Sequence, residues 1–348
     1  MGFPRKAVGY DEATEDSIVK PKRISIVTHA YNEEGNIEAM YLAVRDIMQR
    51  YPQYVYEYIF IDNHSTDSTV DILRKIAETD RHVKIIVNAR NFGHIRSPIH
   101  ALFQATGDAV IGIASDFQEP PDLIPQMLEA WEEGCLMVLC VKRSSEEHGL
   151  MYWLRKQYYR TVERLSSVET IQNYTGFGLY DRKVVDIVRS FNDPYPYFRG
   201  IIAEISLPKK LLYFDQPIRR RGITKNNWYI LYDIALLGIV STSKVPLRIA
   251  TISGFLGAAV SFIVGFVYLV LKLIFWQRFT AGAAPMLIGM FFMFSVECVF
   301  LGLLGEYVGA IYTRVQQRPY AIEQERINFQ YGFPEAGETE LSGEIQSA

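Results

Sequence analysis

The hydrophobic and polar positions of the 348-residue chain divide it into two parts. Up to about Lys244, short apolar runs of strand length alternate with segments in which apolar residues recur every three or four positions. This alternation predicts an α/β domain, a mostly parallel sheet with helices on both faces. The strands are expected at 23–29, 56–61, 83–87, 109–114 and 136–141, and the helices between them at 34–50, 65–78, 97–106 and 123–133.

The pattern becomes less regular beyond the fifth predicted strand. Residues 227–244 place Trp228 and Leu231 on one side of a helix that lies between Lys225 and Lys244. This pattern predicts an amphipathic helix in the membrane surface, with an ordinary surface helix as the alternative. The other expected elements are helices at 150–167, 182–190 and 197–206 and strands at 176–180 and 211–219.

Two long apolar runs follow. Residues 249–271 carry no charge, and residues 279–305 carry only Glu297. A helix needs roughly 20 apolar residues to cross a bilayer. We therefore expect two transmembrane helices within 245–318, at about 249–274 and 282–310, rather than a large soluble helical domain.

Basic residues predict the orientation of this hairpin. Lys244 and Arg248 precede the first span, Arg314 and Arg318 follow the second, and the short loop between them holds only Arg278. The positive-inside rule therefore places the soluble domain and both termini in the cytoplasm of a multi-pass protein of the inner or plasma membrane.

The chain termini and the overall composition add further limits. Residues 1–21 lack the apolar core of a signal peptide and predict a flexible arm. Residues 319–348 form the expected cytoplasmic tail, whose acidic end predicts disorder. A net charge of −3 gives no indication of nucleic-acid binding, and the three cysteines show no metal-binding spacing.

The end of the fourth predicted strand carries the most specific chemistry. The apolar run 109–114 is followed by Asp116, Gln118 and Glu119, and then by a Pro-Pro pair. In α/β folds the carboxyl ends of the strands bind ligands. Hard divalent cations take oxygen ligands of this kind and often share them with phosphate.

Three further loops are expected at the same edge of the sheet. Tyr31 offers a ring to stack on a base, and Glu33 offers an acceptor to a base or ribose, although Glu33 also suits a helix N-terminus. Asp62 ends the second strand, where a base or ribose would lie. Arg90 offers a donor fork to phosphate, and Gly93 allows close backbone approach.

These loops carry a specific resemblance, together with segments of the hairpin. The matching segments are 31–34, 65–67, 90–94, 116–121, 246–248, 304–307 and 318–319. In this order they resemble the family-2 inverting glycosyltransferases, which have the nucleotide-diphospho-sugar transferase fold (GT-A, Rossmann-like). From about Lys22 to Ile322 the chain is similar to polyprenyl-phosphate glycosyltransferases, a group that includes bactoprenol glucosyltransferase and dolichyl-phosphate mannose synthase.

The resemblance implies a reaction for the cytoplasmic domain 22–226. A hexose, glucose in the bacterial glucosyltransferase type, would pass with inversion from a nucleotide-diphospho-sugar such as UDP-glucose to undecaprenyl or another polyprenyl phosphate. Mg²⁺ or Mn²⁺ on the diphosphate would be held by Asp116 and Gln118. Alternatives are the same chemistry with GDP-mannose or an amino-sugar donor, and a catalytically weakened scaffold that binds nucleotide or lipid.

The resemblance also implies roles for individual residues. Arg143 would be catalytic with Asp116 and Gln118, and Arg143, Arg155 and Tyr158 would hold the acceptor phosphate. A homo-oligomer, by resemblance a tetramer, is expected from small residues along both spans. The donor would be bound by Ala30, Tyr31, Glu33, Asp62, Arg90, Ser115 and Lys225.

Two positions depart from the family's pattern. Ala114 stands where the metal motif Asp-Ala-Asp-Leu-Gln begins, and Asn63 follows Asp62 in place of a second aspartate. One fewer carboxylate predicts weaker cation binding, which Mg²⁺ tolerates because it keeps several waters and needs only one or two carboxylates.

Overall fold

The computed structural model describes residues 21–143, 171–217, 245–274 and 283–333. The described residues form an α/β domain and two long apolar helices, as the sequence predicts. The strands are β1 (Lys22–Ala30), β2 (Tyr54–Asp62), β3 (Val83–Asn88), β4 (Ala109–Ala114), β5 (Met137–Lys142), β6 (Tyr174–Asp181), β7 (Lys209–Phe214) and β8 (Glu323–Ile327). The helices are α1 (Ile37–Met48), α2 (Thr69–Thr79), α3 (Gly93–Gln104), α4 (Ile124–Glu132), α5 (Arg182–Ser190), α6 (Phe198–Ile205), α7 (Val245–Ile274) and α8 (Ala283–Val315).

The eight described strands form one sheet in the order β7-β5-β6-β4-β1-β2-β3-β8. β6 runs antiparallel to both β4 and β5, and β8 runs antiparallel to β3. The other strands share one direction, so the prediction of a mostly parallel sheet is confirmed. Their carboxyl ends therefore lie along one edge, where the candidate side chains follow the strands.

Each face of the sheet buries its own apolar layer. Ile111 and Ile113 of β4 belong to the layer that contains Met40 of α1 and Met127 of α4. The layer on the other face contains Val110 of β4, Ile99 of α3 and Val184 of α5. Successive strand residues point to opposite faces, so the apolar runs of β1 to β5 supply both layers.

The opposite edge, where the parallel strands begin, holds a buried ion pair. Lys84 Nζ lies 2.6 Å from Glu57 Oε2, and the two side chains are 6% and 1% exposed. The other oxygen of Glu57 accepts hydrogen bonds from Ser25 and from the Thr106 hydroxyl and N–H. Both oxygens of the buried Glu57 carboxylate therefore have charged or hydrogen-bonding partners within the protein.

The structure corrects two predicted boundaries and adds one strand. Helix α3 begins at Gly93 rather than at 97, because the Asn91 side chain accepts from the Gly93 N–H at 2.8 Å and starts the helix early. Strand β7 ends at Phe214, so the prediction of strand at 215–217 is wrong. Strand β8 was not predicted, because four of its five residues (EQERI) are polar or charged; it forms an antiparallel pair with β3.

The two C-terminal helices are long and apolar enough to cross a membrane. The apolar windows are Val245–Val267 and Phe292–Val315, and neither is buried within the protein. Beyond α8 the chain returns to the sheet as β8, and Arg314 forms an ion pair with Asp193. The predicted arm 1–21 (apart from its last residue), the surface helix 227–244 and the acidic end of the tail lie outside the described residues.

Candidate active site

The loops after β1 and β2 are locked to each other at the carboxyl edge. Ala30 pairs with Asp62 in the parallel register, and the Ala30 carbonyl accepts from the Asn63 N–H at 2.9 Å. The Asn32 N–H donates to Ser65 Oγ at 2.8 Å, and Asn32 Oδ1 accepts from the Thr66 N–H at 2.8 Å. Tyr31, which lies in this loop, is therefore brought next to the end of β2.

Asp62 is fully buried at this edge. One carboxylate oxygen accepts from the Ser65 N–H at 2.8 Å, and the other accepts from the Ser65 hydroxyl. Burial raises the pKa of Asp62, because these hydrogen bonds only partly offset the cost of removing the charge from water. Keeping the Asp62 carboxylate ionised at the predicted donor site therefore costs folding free energy.

Asn63 connects the end of β2 to the loop that carries Arg90. Its side-chain amide donates to Asn91 Oδ1 at 3.0 Å and to the Gly93 carbonyl at 3.1 Å. Its oxygen accepts from the Phe92 N–H at 2.9 Å. A carboxylate has no N–H to donate, so the amide at 63 matches this environment where an aspartate would not.

Arg90 lies exposed on this loop. Its guanidinium carbon is 4.2 Å from the centre of the Phe92 ring, a cation–π contact, and its Nη1 donates to the Asn91 carbonyl at 3.3 Å. The guanidinium is therefore oriented from one side and open to solvent on the other. This geometry suits a phosphate contact.

The turn after β4 brings Asp116 and Gln118 together. Asp116 Oδ1 accepts from the Gln118 N–H at 3.1 Å, and Phe117 between them has a φ of 60°. Ser115 Oγ donates to the His29 carbonyl at 3.1 Å and ties the turn to β1. Asp116 is 9% exposed, whereas the Gln118 side chain is half-buried.

These donors fit a Mg²⁺ or Mn²⁺ ion that is shared with a diphosphate. One carboxylate and one amide oxygen in a single turn leave most of the coordination to phosphate and water, which Mg²⁺ accepts. In the described part of the chain, no three His, Cys, Asp or Glu side chains form a metal cluster. A cation held by Asp116 and Gln118 would therefore take most of its ligands from phosphate and water.

Glu119, which follows Asp116 and Gln118 at the end of β4, is a site residue for which the sequence predicted no specific role. Its carboxylate accepts from the Ala114 N–H at 2.7 Å and from the Thr175 hydroxyl at 2.9 Å, and so bridges β4 and β6. Burial raises its pKa to about 7. The signal in the sequence was present, because Glu119 immediately follows Gln118, but its bond to a residue on β6 depends on the tertiary fold.

His29 lies beneath the Asp116 turn at the end of β1. Burial lowers the pKa of this imidazole, the negative charge of Asp116 opposes the shift, and His94 adds to it. The three side chains are therefore close enough to interact electrostatically. They occupy the same corner of the edge.

Arg143 follows β5 at the same edge but away from this corner, because β6 separates β5 from β4. Its N–H donates to the Phe214 carbonyl at 2.9 Å, and its exposed side chain lies 3.5 Å from the Asp215 carboxylate. The other predicted acceptor and loop residues, Arg155, Tyr158 and Lys225, lie outside the described residues.

The fold and the site define a class of protein. Residues 25–190 match the family model described as glycosyl transferase family 2. The chain belongs to this family, since relatives named below are at least 30% identical over most of its length. It is a GT-A-like glycosyltransferase with two C-terminal apolar helices.

Two relatives and one solved structure are among the proteins to which the chain is similar. The bactoprenol glucosyl transferase of Shigella phage SfII is 32% identical over 298 residues, which cover 85% of this chain and 96% of that protein. The uncharacterized glycosyltransferase sll0501 of Synechocystis is 30% identical over 312 residues, 88% of this chain and 96% of that protein. A solved structure of glucosyl-3-phosphoglycerate synthase from Mycobacterium tuberculosis, with Mn²⁺, UDP-glucose and phosphoglyceric acid, covers 63% of this chain and 79% of its own at 18% identity and a TM-score of 0.46.

Proposed function

We propose that the protein transfers a hexosyl group, with inversion, from a nucleotide-diphospho-sugar to the phosphate of a polyprenyl lipid at the cytoplasmic face of the membrane. The observation that carries this proposal is the Asp116–Gln118 turn beside the interlocked ends of β1 and β2. The acceptor is supported by relatives named bactoprenol glucosyl transferase, which align over almost their whole length.

The donor would lie across the ends of β1 to β4. Tyr31 and Glu33 would contact the base and ribose with Asp62, whose orientation Ser65 sets. Arg90 would contact the diphosphate, with Ala30 and Ser115 lining the floor and Lys225 closing over it. UDP-glucose is the first donor to test, because the relatives are named for glucosyl transfer.

The acceptor phosphate supplies its own nucleophile. The second pKa of a phosphate monoester is about 6, so an acceptor dianion dominates at neutral pH and needs no general base. Asp116 and Gln118 would hold a divalent cation, whose charge would stabilise the nucleotide diphosphate as a leaving group. Arg143, with Arg155 and Tyr158, would orient the acceptor phosphate for in-line attack. A phosphate oxygen would form a bond to the anomeric carbon of the sugar while the bond from that carbon to the nucleotide diphosphate breaks.

The chain would act as an integral membrane protein. The apolar windows of α7 and α8 would form the hairpin, with the catalytic domain and both termini in the cytoplasm. Small residues along the two helices, including Gly254, Gly257 and Gly309, would allow close helix contacts in a homo-oligomer, a tetramer by resemblance. Light scattering of the detergent-solubilised chain measures its mass directly, and a monomer would contradict this part.

The test of the reaction is a donor panel. Purified full chain, undecaprenyl phosphate and UDP-glucose, GDP-mannose or a UDP-amino sugar are mixed with Mg²⁺, with Mn²⁺ or with EDTA. We expect a lipid-linked product that needs the cation and carries the inverted anomer. Nucleotide binding without any product would instead favour a catalytically weakened scaffold.

A further inference from the structure

A cavity of about 300 Å³ adjoins the Asp116 turn, on the face of the sheet that packs against α3 and α6. Ligand pockets span roughly 300–1,000 Å³, so this cavity lies at the lower end of that range, which suits part of a ligand better than a whole nucleotide sugar or a polyprenyl chain. His29, His94 and Glu119 line it at the carboxyl edge. It therefore meets the candidate active site at its mouth.

The cavity exists because β4 loses side-chain volume toward its carboxyl end. On the face toward α3, β4 presents Val110, then Gly112, then Ala114, since alternate residues share a face. The other face of the same strand carries Ile111 and Ile113 and is fully packed. The void is thus specific to the face and the end of the strand that adjoin the site.

Strand β6 widens the same space. Its pairing with β4 stops at Gly112–Gly178, although both strands continue, and Gly176 has a φ of 111°. Glu119 then accepts the Ala114 N–H that an extended β6 would have bonded. The carboxylate keeps the strand end satisfied while the two strands diverge, so the opening costs no buried hydrogen bond.

The lining has two chemical characters. Val27, Ile99, Leu102 and Phe198 give an apolar floor. The mouth carries the imidazoles of His29 and His94 and the carboxyl group of Glu119, which are polar groups that can hydrogen-bond an amide. A substituent with an amide next to its point of attachment and a methyl group at its far end would place the amide at the polar mouth and the methyl group on the apolar floor.

We propose that this cavity takes the acylamino substituent of the transferred sugar, so that the donor is an N-acylated amino-sugar nucleotide in preference to an unsubstituted hexose. The proposal rests on the proposed function, because it places the donor sugar beside the Asp116 turn. Glucose has no group that would occupy the floor. One group that fits or fails to fit an apolar pocket changes kcat/KM by about 10–200-fold.

The test compares UDP-N-acetylglucosamine and UDP-N-acetylgalactosamine with UDP-glucose and UDP-galactose on the full chain with Mn²⁺. We expect kcat/KM and affinity to favour the acetylated donors in the wild type. Gly112→Val, which fills the cavity, should lower the ratio of acetylated to plain donor at least about tenfold. Gly112→Ala should lower it less. Its Cβ would meet only the Gly176 carbonyl at 3.7 Å, which is an ordinary contact, so we expect this variant to fold.

Ile111→Val is the matched control, because it changes the neighbouring residue on the opposite face of β4. It should leave the donor ratio unchanged. Transfer that favours plain hexoses, or a ratio unmoved by both Gly112 variants, overturns the inference and leaves the proposed function standing. A binding preference for acetylated donors without transfer supports the cavity's role and overturns the proposed reaction instead; no transfer and no preference overturn both.

Discussion

The two edges of the sheet both bury carboxylates, but they treat them differently. At the amino edge, Glu57 is paired with Lys84 and accepts three further hydrogen bonds. At the carboxyl edge, Ser65 provides the one side-chain hydrogen bond to Asp62 among the described residues, and burial raises the pKa of Asp62. A carboxylate that is paired with a cation inside the protein contributes to stability. A buried carboxylate that lacks such a cation costs stability, and it is a candidate for ligand binding.

The first way to break this comparison is Glu57→Gln. The change leaves the Lys84 ammonium buried without its counter-charge, so the free energy of unfolding should fall by about 3–5 kcal/mol. Denaturant titration of the full chain measures the loss. Adding Lys84→Met removes the stranded charge and should restore much of the stability. A single variant as stable as the wild type would show that the pair is not structural.

At the carboxyl edge, Asp116→Ala should reduce activity and leave stability nearly unchanged. We expect kcat/KM to fall by about 10²–10³, or ~2.7–4 kcal/mol, because charge on the leaving diphosphate loses its stabilisation, with little change in unfolding midpoint. Steady-state transfer assays measure it. Asp122→Ala is the control, since Asp122 is exposed a few residues further along and should be silent. Full activity of Asp116→Ala would place the cation elsewhere.

Asn63→Asp tests the amide that joins the loops after β2 and β3. The aspartate cannot donate to Asn91 or to the Gly93 carbonyl, so we expect a loss of about 1–3 kcal/mol in unfolding free energy. The donor KM should rise as well, because Arg90 would be held less firmly. Asn192→Asp makes the same isosteric change at an exposed position outside this network and should cost less than Asn63→Asp. Equal stability of both variants would refute the role of the amide.

The smallest expected effect is a gain, from Asp62→Asn. The folded-state pKa of Asp62 is raised, so its ionised form destabilises the fold at neutral pH. Removing the charge should raise the unfolding midpoint at pH 7 while weakening donor binding. The gain should vanish below about pH 4, where an ordinary aspartate is protonated in both states. A gain that did not depend on pH would have another cause.

Local patterns predicted the sheet well because β1 to β5 are buried on both faces and appear as short continuous apolar runs. They also placed Asp116 and Gln118 in one turn, since both lie within five residues of the end of β4. Prediction failed where partners are distant in sequence. Strand β8 pairs with β3 across more than 200 residues, and nothing in residues 323–327 alone indicates a strand.

The same physical reason separates the site residues that were predicted from those that were not. Asn63 was noted only as a departure from an acidic pair, because its role depends on four groups in another loop and strand. Glu119 was noted at the end of β4, but its role was not predicted because its partner Thr175 lies 56 residues away. The roles assigned to Arg155, Tyr158 and Lys225 stay predictions.

The sequence by itself determined the alternation of strands and helices, the two apolar spans and the order of polar loops, because these depend on periodicity and on neighbours a few residues apart. Only the tertiary structure decided which polar groups share an edge, which carboxylate is neutralised, and where β4 and β6 diverge to leave a cavity. Those outcomes depend on packing between residues far apart along the chain, and local periodicity contains no record of such contacts.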